Sequence, residues 1–421
     1  MKKIIYNVRI VDTNTDEYGA VVIRKGKIES VVLLGKDVSN ICVAPSLRKL
    51  IDSCDEKINA KGLVLMPAFV DWHAHFRYPG QGEKEDLETG LAAARAGGFS
   101  AVVLMPNTNP VVSSQKEALA IMDEIKQLSD IKAFQTVSIT KNFDGRDISH
   151  LNDLDKSIVP IITEDGFDVA SESVMKEAMK IAAKKGLVVS CHCEDAAFVP
   201  LAKKAREEGN FKKAEKLLHK AEDTATKRNL KLALETGCRV HIAHCSTKKS
   251  LAYVRQAKKK ERFPGQITLE VTPHHACLSY EMKGLDKELV NPPLRSEKDR
   301  KAVVKAIQKG LVDVIATDHA PHTLEDKKNG ACGFSGLETA FSLCYTELVK
   351  TGKLSLSKLS ELMSSNPAQM LGLDKGFITE GADANLVLLD LEASFFVDSK
   401  DFKSKGKYTP IQGKKLFGRI I

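Results

Sequence analysis

Eight short apolar runs punctuate the middle of this 421-residue chain, at 63–76, 100–108, 131–140, 157–166, 186–195, 238–246, 266–275 and 313–322. Each is rich in Val, Ile, Leu or Thr and nearly continuous, which is the pattern of strands covered on both faces. Between most of them the apolar positions fall into a helical period, as in EDLETGLAAARAGG (85–98), SESVMKEAMKIAAKKG (171–186) and SEKDRKAVVKAIQKG (296–310). The last of these begins at Ser296, a good N-cap, and ends at Gly310, a good C-cap. Strand then helix, repeated eight times, predicts an α/β fold, a (β/α)8 TIM barrel.

The two ends of the chain do not share this rhythm. IIYNVRIVDTNTDEYGAVVIRKGKIESV near the start and GFITEGADANLVLLDLEASFFV near the end alternate short strands with turns. Together they predict a small β-sandwich built from both termini, with residues 1–60 and 375–421 flanking a barrel over 61–374.

Composition narrows the class. Hydrophobic residues make up 43% and charged residues 28%, as in ordinary globular proteins. No stretch approaches the ~18 uncharged apolar residues of a membrane helix, and the N-terminus turns polar too early for a secretory signal. The expected compartment is cytoplasmic. Nine cysteines without a paired framework fit a reducing environment. Cys191 and Cys193 flank His192 and Cys245 follows His244, so sulfur ligation and small buried packing residues are both open; alternation along strands favours packing. The net charge of +8 is spread over helices such as KKAREEGNFKKAEKLLHKAEDTATKRNLK, where acids interleave. That is a solvated helix face rather than a nucleic-acid patch. An anionic small substrate would fit the charge.

The chemistry gathers at strand ends. His73 and His75 lie two apart in DWHAH, so on a strand they share a face and can share a metal. Asp165 ends the fourth run, His192 the fifth, His244 the sixth and Asp318 the eighth. In a TIM barrel these positions converge at one mouth, where the active site sits. Buried histidines and aspartates without partners are costly, and a bound metal pair removes that cost.

These segments resemble the dihydroorotases of the amidohydrolase superfamily. The resemblance rests on DWHAHFR (71–77), MPNT (105–108), TEDG (163–166), HCED (192–195), AHCST (243–247), TPHH (272–275), NPPLR (291–295) and ATDHAPH (316–322), in the family's order. ITEGADANLVLLD (378–390) resembles the superfamily's return to the sandwich. The resemblance implies one or two Zn2+ ions in a binuclear site. His73, His75, Asp165 and Asp318 would hold one, and Asp165, His192 and His244 the other, with Asp165 bridging. Many relatives bridge with a carbamylated lysine, which the strand-four end here lacks; a subgroup uses two consecutive aspartates, and here the first is Glu164. Asp165 is therefore the expected bridge, with Glu164 the alternative if the register shifts by one.

By the same resemblance Asp318 moves a proton between water and the ring nitrogen, Arg77, Asn107 and His322 hold a substrate carboxylate, and Asn291 contacts the pyrimidine ring. The implied reaction is the reversible cyclisation of N-carbamoyl-L-aspartate to L-dihydroorotate. His274, His275 and His319 fall in the motifs but are expected to be structural. Family members usually continue past GKKLFGRII, so one sandwich strand is expected to be missing. Dihydropyrimidinase, hydantoinase and allantoinase share the implied fold, although HFR favours a substrate with a carboxylate. An inactive homologue partnering aspartate transcarbamoylase is a further reading, which six retained ligand positions oppose. The resemblance is compatible with a homo-oligomer or an aspartate transcarbamoylase complex.

Overall fold

The structure, a computed structural model, describes residues 1–36 and 45–421; Cys42 lies outside them. Strand β1 (Lys2–Val11) pairs antiparallel with β2 (Asp16–Arg24), which pairs with β3 (Lys27–Gly35). Two short strands, β4 (Glu56–Asn59) and β5 (Val64–Pro67), run parallel to β1. Successive residues of β1 and β2 face opposite sides. Ile5 and Val21 pack with Ile10, Leu65 and Ile378 on one face, while Ile4, Ala20 and Val22 pack with Leu47 and Cys54 on the other.

The barrel follows. Its strands are β6 (Phe69–Ala74), β7 (Phe99–Leu104), β8 (Lys132–Gln135), β9 (Val137–Ser138), β10 (Ile161–Thr163), β11 (Val188–Cys191), β12 (Arg239–Ile242), β13 (Ile267–Val271) and β14 (Val314–Ile315). All neighbours are parallel: β6–β7–β8 form one run and β9 through β14 another. The ring closes where Ala74 bridges His319 and the His75 N–H donates to His319 O at 2.8 Å. β8 and β9 are two pieces of the single strand predicted at 131–140, so eight barrel positions result. The buried Gln135 amide covers the break by donating to the carbonyls of Leu104, Met105 and Thr136.

Helices cover the outside. Asp86 caps Leu87–Ala96 by accepting from Thr89 N. Ser171 caps Glu172–Lys185, which ends on left-handed Gly186. Ser296 caps Glu297–Gln308 as expected; Lys309 is its last capping residue and Gly310 takes the left-handed turn just beyond. The charged stretch forms parts of Val199–Glu207 and Phe211–Thr236, with Ala214, Leu218, Ala221 and Ala225 buried. Spacings of three and four put these on one stripe, leaving the lysines outside.

The chain then returns to the first sheet. β15 (Leu386–Phe396) lies antiparallel to β5, and β16 (Lys415–Ile420) antiparallel to β15. Seven strands from both ends of the chain thus build the small β-sandwich domain. The run read as one strand at 63–76 divides between the two sheets: Val64–Pro67 joins the sandwich and Phe69–Ala74 the barrel. No helix among the described residues is long and apolar enough to cross a membrane.

Candidate metal centre

Six side chains meet at the C-terminal mouth of the barrel. His73 sits on β6 and His75 just past it; Asp165, His192, His244 and Asp318 follow β10, β11, β12 and β14. All six are buried. Arg77, His244 and Asp318 hold φ of 57, 30 and 49°, in the left-handed region. Such backbone costs on the order of 1–3 kcal/mol per non-glycine residue and persists where surrounding structure fixes it.

Asp165 is central. Its Oδ1 lies 3.3 Å from His73 Nε2, 3.5 Å from His192 Nδ1 and 3.5 Å from His244 Nε2; its Oδ2 lies 3.4 Å from His75 Nε2. Asp318 Oδ1 is 3.1 Å from His75 Nε2 and 3.6 Å from His73 Nε2. His192 Nδ1 and His244 Nε2 are 3.0 Å apart. Burial opposes the charge of Asp165, yet His73 and the nearby rings of His192 and His244 hold it well below the usual carboxylate range. Asp318 is likewise held down, to about 2, by His73 and His75 against its burial.

The donor set fits a divalent metal. Donors about 2.1 Å from a tetrahedral ion are separated by roughly 3.4 Å, which is the spacing seen here. His73 Nε2 and Asp165 Oδ1 are buried without a hydrogen-bond partner. His73, Asp165 and His244 form one group whose ligand atoms converge, and His73, His75 and Asp318 another. Glu164 points away from the cluster. Its carboxylate accepts from the Thr140 N–H at 2.9 Å and from the Thr140 hydroxyl.

Arg77 lies beside the cluster, 8% exposed. Its Nε donates to Pro321 O at 3.1 Å, and its Nη2 lies 3.1 Å from His322 Nε2. His322 Nε2 is also 2.9 Å from Cys332 O. Burial and then the charge of Arg77 push His322 down to about 3, so its ring is neutral. A neutral ring that gives its Nε2 hydrogen to Cys332 O has no lone pair there for Arg77. The guanidinium, pushed down to about 10 by burial, has no hydrogen-bonded carboxylate among the described residues.

Asn107 uses its amide on the cluster itself: Oδ1 accepts from His75 Nδ1 at 2.8 Å and Nδ2 donates to Asp165 Oδ2 at 3.3 Å. Asn291 Nδ2 donates to Glu194 Oε2 at 3.1 Å and lies 3.4 Å from His192 Nε2. Burial opposes protonation of His192, but the adjacent carboxylates of Asp165 and Glu194, each 3.5 Å away, raise it to about 10. His275 and His319 are structural as expected: His275 contacts Thr272 Oγ1 and Pro292 O, and His319 accepts from the Gly336 N–H. His274 differs. Its Nε2 is buried without a partner, and the ring packs on His275 and Phe334. Burial drives the Cys191 thiol well up and the Cys193 thiol to about 12, and both pack in the core.

Sequence reading missed Glu194, Glu270 and His241. Glu270 accepts from His73 Nδ1 at 2.8 Å and from His241 Nε2 at 3.1 Å. The available signal was the pattern ITLEV, where one acid interrupts an apolar strand and therefore needs partners.

Residues 64–414 match the amidohydrolase family, and the chain belongs to it. Its sequence relatives narrow the group. It is 42% identical over its whole length to a dihydroorotase of Clostridium botulinum, covering 97% of that protein. It is 39% identical to a dihydroorotase of Bacillus subtilis, with 87% of each chain covered. Among solved structures, L-hydantoinase (dihydropyrimidinase) from Arthrobacter aurescens superimposes with a TM-score of 0.86 over 100% of this chain and 94% of that one, at 24% identity. Dihydropyrimidinase from Brevibacillus agri gives 0.83 over 100% and 93%, at 22% identity. At these identities the likeness is one of fold.

Proposed function

We propose that this chain is a dihydroorotase, interconverting L-dihydroorotate and N-carbamoyl-L-aspartate at a binuclear zinc site. The observation that carries the reading is the buried Arg77 guanidinium, without a carboxylate partner, beside the six-residue cluster. A guanidinium binds a carboxylate bidentately, and dihydroorotate brings one. Rings without a carboxylate, as dihydropyrimidinase or hydantoinase would take, leave it unpaired. The full set of six ligand residues favours an active enzyme over an inactive partner subunit.

His73, His75 and Asp318 would hold one ion, His192 and His244 the second, with Asp165 between them. Histidine and carboxylate donors suit zinc. When bound, the metal supplies Lewis-acid activation of water and of the scissile amide carbonyl. Arg77 orients the ring through its carboxylate, and the Pro321 carbonyl holds the guanidinium through Nε. Asn291 has a second Nδ2 hydrogen for a ring carbonyl. Asn107 fixes the rotation of His75 and Asp165. In ring opening a C–O bond forms at the amide carbon as the ring C–N bond breaks; Asp318 takes the proton from water and delivers it to the departing nitrogen. In ring closure Asp318 takes the proton from the carbamoyl nitrogen as the C–N bond forms at the protonated side-chain carboxyl, and passes it to the departing hydroxyl as the C–O bond breaks, releasing water.

Metal removal tests this. Dialysis against a chelator should abolish turnover of dihydroorotate, and added zinc should restore it. His192→Ala should lose both metal and turnover. Full turnover by the stripped protein would overturn the mechanism.

A further inference from the structure

One carboxylate touches the cluster from inside the barrel wall without belonging to it. Glu270, the single acid of β13, is 0% exposed. Its Oε1 accepts from His73 Nδ1 at 2.8 Å and from the backbone N–H of His244 at 2.9 Å. Its Oε2 accepts from His241 Nε2 at 3.1 Å, and His241 Nδ1 lies 2.8 Å from Thr268 Oγ1. Both carboxylate oxygens are thus satisfied in a place where an unpaired charge would be expensive.

These contacts reach two residues at different places round the barrel. His73 is on β6, and His244 follows β12, the neighbour of β13. A histidine whose Nδ1 hydrogen is held by a carboxylate keeps Nε2 as a bare lone pair. In His73 that Nε2 is 3.3 Å from Asp165 Oδ1 and has no hydrogen-bond partner. His244 has a left-handed backbone, φ 30°, and the N–H at that strained turn is the one Glu270 takes.

We propose that Glu270 is a positioning residue of the metal centre: one oxygen sets the tautomer and tilt of His73 and pins the turn that aims His244, while His241 holds the other oxygen. This rests on the metal-centre reading above and extends it to a residue outside the ligand set. A purely structural Glu270 would change stability and leave metal binding alone.

The test uses the full chain loaded with zinc, then with cobalt(II). Zinc affinity is read by competition with a chelator, ligand geometry by the visible spectrum of the cobalt form, and stability by the thermal midpoint. Glu270→Gln retains Oε1 for both N–H groups and turns its amide to His241, whose ring accepts once its hydrogen moves to Nδ1. Glu270→Leu removes every contact. Outer carboxylates of metal-bound histidines are worth about 10- to 100-fold in affinity, so the Gln variant should bind zinc about tenfold more weakly and the Leu variant about 100-fold. Both should show displaced cobalt bands, with the midpoint of the Gln variant close to that of the unaltered chain. If the Leu variant does not fold, the Gln variant carries the test. Unchanged zinc affinity and cobalt bands in the Glu270 variants, with zinc lost from His73→Ala, would overturn this inference and leave the metal centre standing. Zinc held as tightly by His73→Ala as by the unaltered chain would overturn the metal centre itself.

Discussion

Asp165 and Glu164 are consecutive acids with opposite surroundings. Past the end of β10 successive side chains turn to opposite sides, so Asp165 enters the histidine cluster while Glu164 is caught by Thr140. Burial pushes Glu164 up to about 7, whereas the histidines hold Asp165 well down. Asp165→Ala is therefore expected to lose zinc and turnover together. Glu164→Ala should keep zinc while losing about 1–3 kcal/mol of stability, because the Thr140 N–H is left buried and unpaired. Metal analysis and denaturant unfolding of the two variants check this, and the reverse ranking for zinc would contradict it. Six cluster residues were legible because each lies at or just past the end of a strand, and strand ends converge in a barrel. Glu270 and His241 were not, since a side chain inside a strand shows its role only once its neighbours round the barrel are known.

Helix Phe211–Thr236 brings its own acid to the loops of the site. Glu222 accepts from Ser246 N at 3.0 Å, Thr247 N at 2.9 Å and Arg295 Nη2 at 3.1 Å, all in buried surroundings. It thereby ties the helix to the turn carrying His244 and to the segment carrying Asn291. Burial opposes its charge, but Arg295 and the Ser246 hydrogen bonds hold it down to about 2. The folded state thus favours ionised Glu222 more than the unfolded chain does. Its contribution is fully present above the unfolded value near 4.5 and is lost as pH falls toward 2. Glu222→Gln should flatten that part of the stability profile and lower stability near neutral pH, because Arg295 then keeps only Glu215, at 3.2 Å, as its counter-charge. Urea unfolding at a series of pH values reads both effects; an unaltered acid slope would contradict the assignment. The start of Glu297–Gln308 was readable from its cap, Ser296. The division of 63–76 between two sheets was not, because Val64–Pro67 and Phe69–Ala74 are buried throughout and give one unbroken apolar run.

At the scale of the molecule, the two ends of the chain share one sheet, and the ring closes through His75 and His319 beside the cluster. Continuous apolar runs separated by amphipathic helices made the barrel legible; the sandwich was readable only as alternation, since pairing between residues hundreds of positions apart leaves no local mark. The net charge of +8 agrees with an anionic substrate but does not select one. On the proposed reading, selection falls to Arg77. A site built to bind a charged group rejects an analogue lacking it by about 10⁴-fold, because the buried partner is left unpaired. The direct measurement is the rate of ring opening, followed by absorbance, for L-dihydroorotate and for dihydrouracil, the same ring without the carboxylate. The unaltered chain should open dihydroorotate far faster, and Arg77→Met should shrink that gap with zinc content unchanged. Equal rates on the two rings in the unaltered chain would contradict the account and point to dihydropyrimidinase instead.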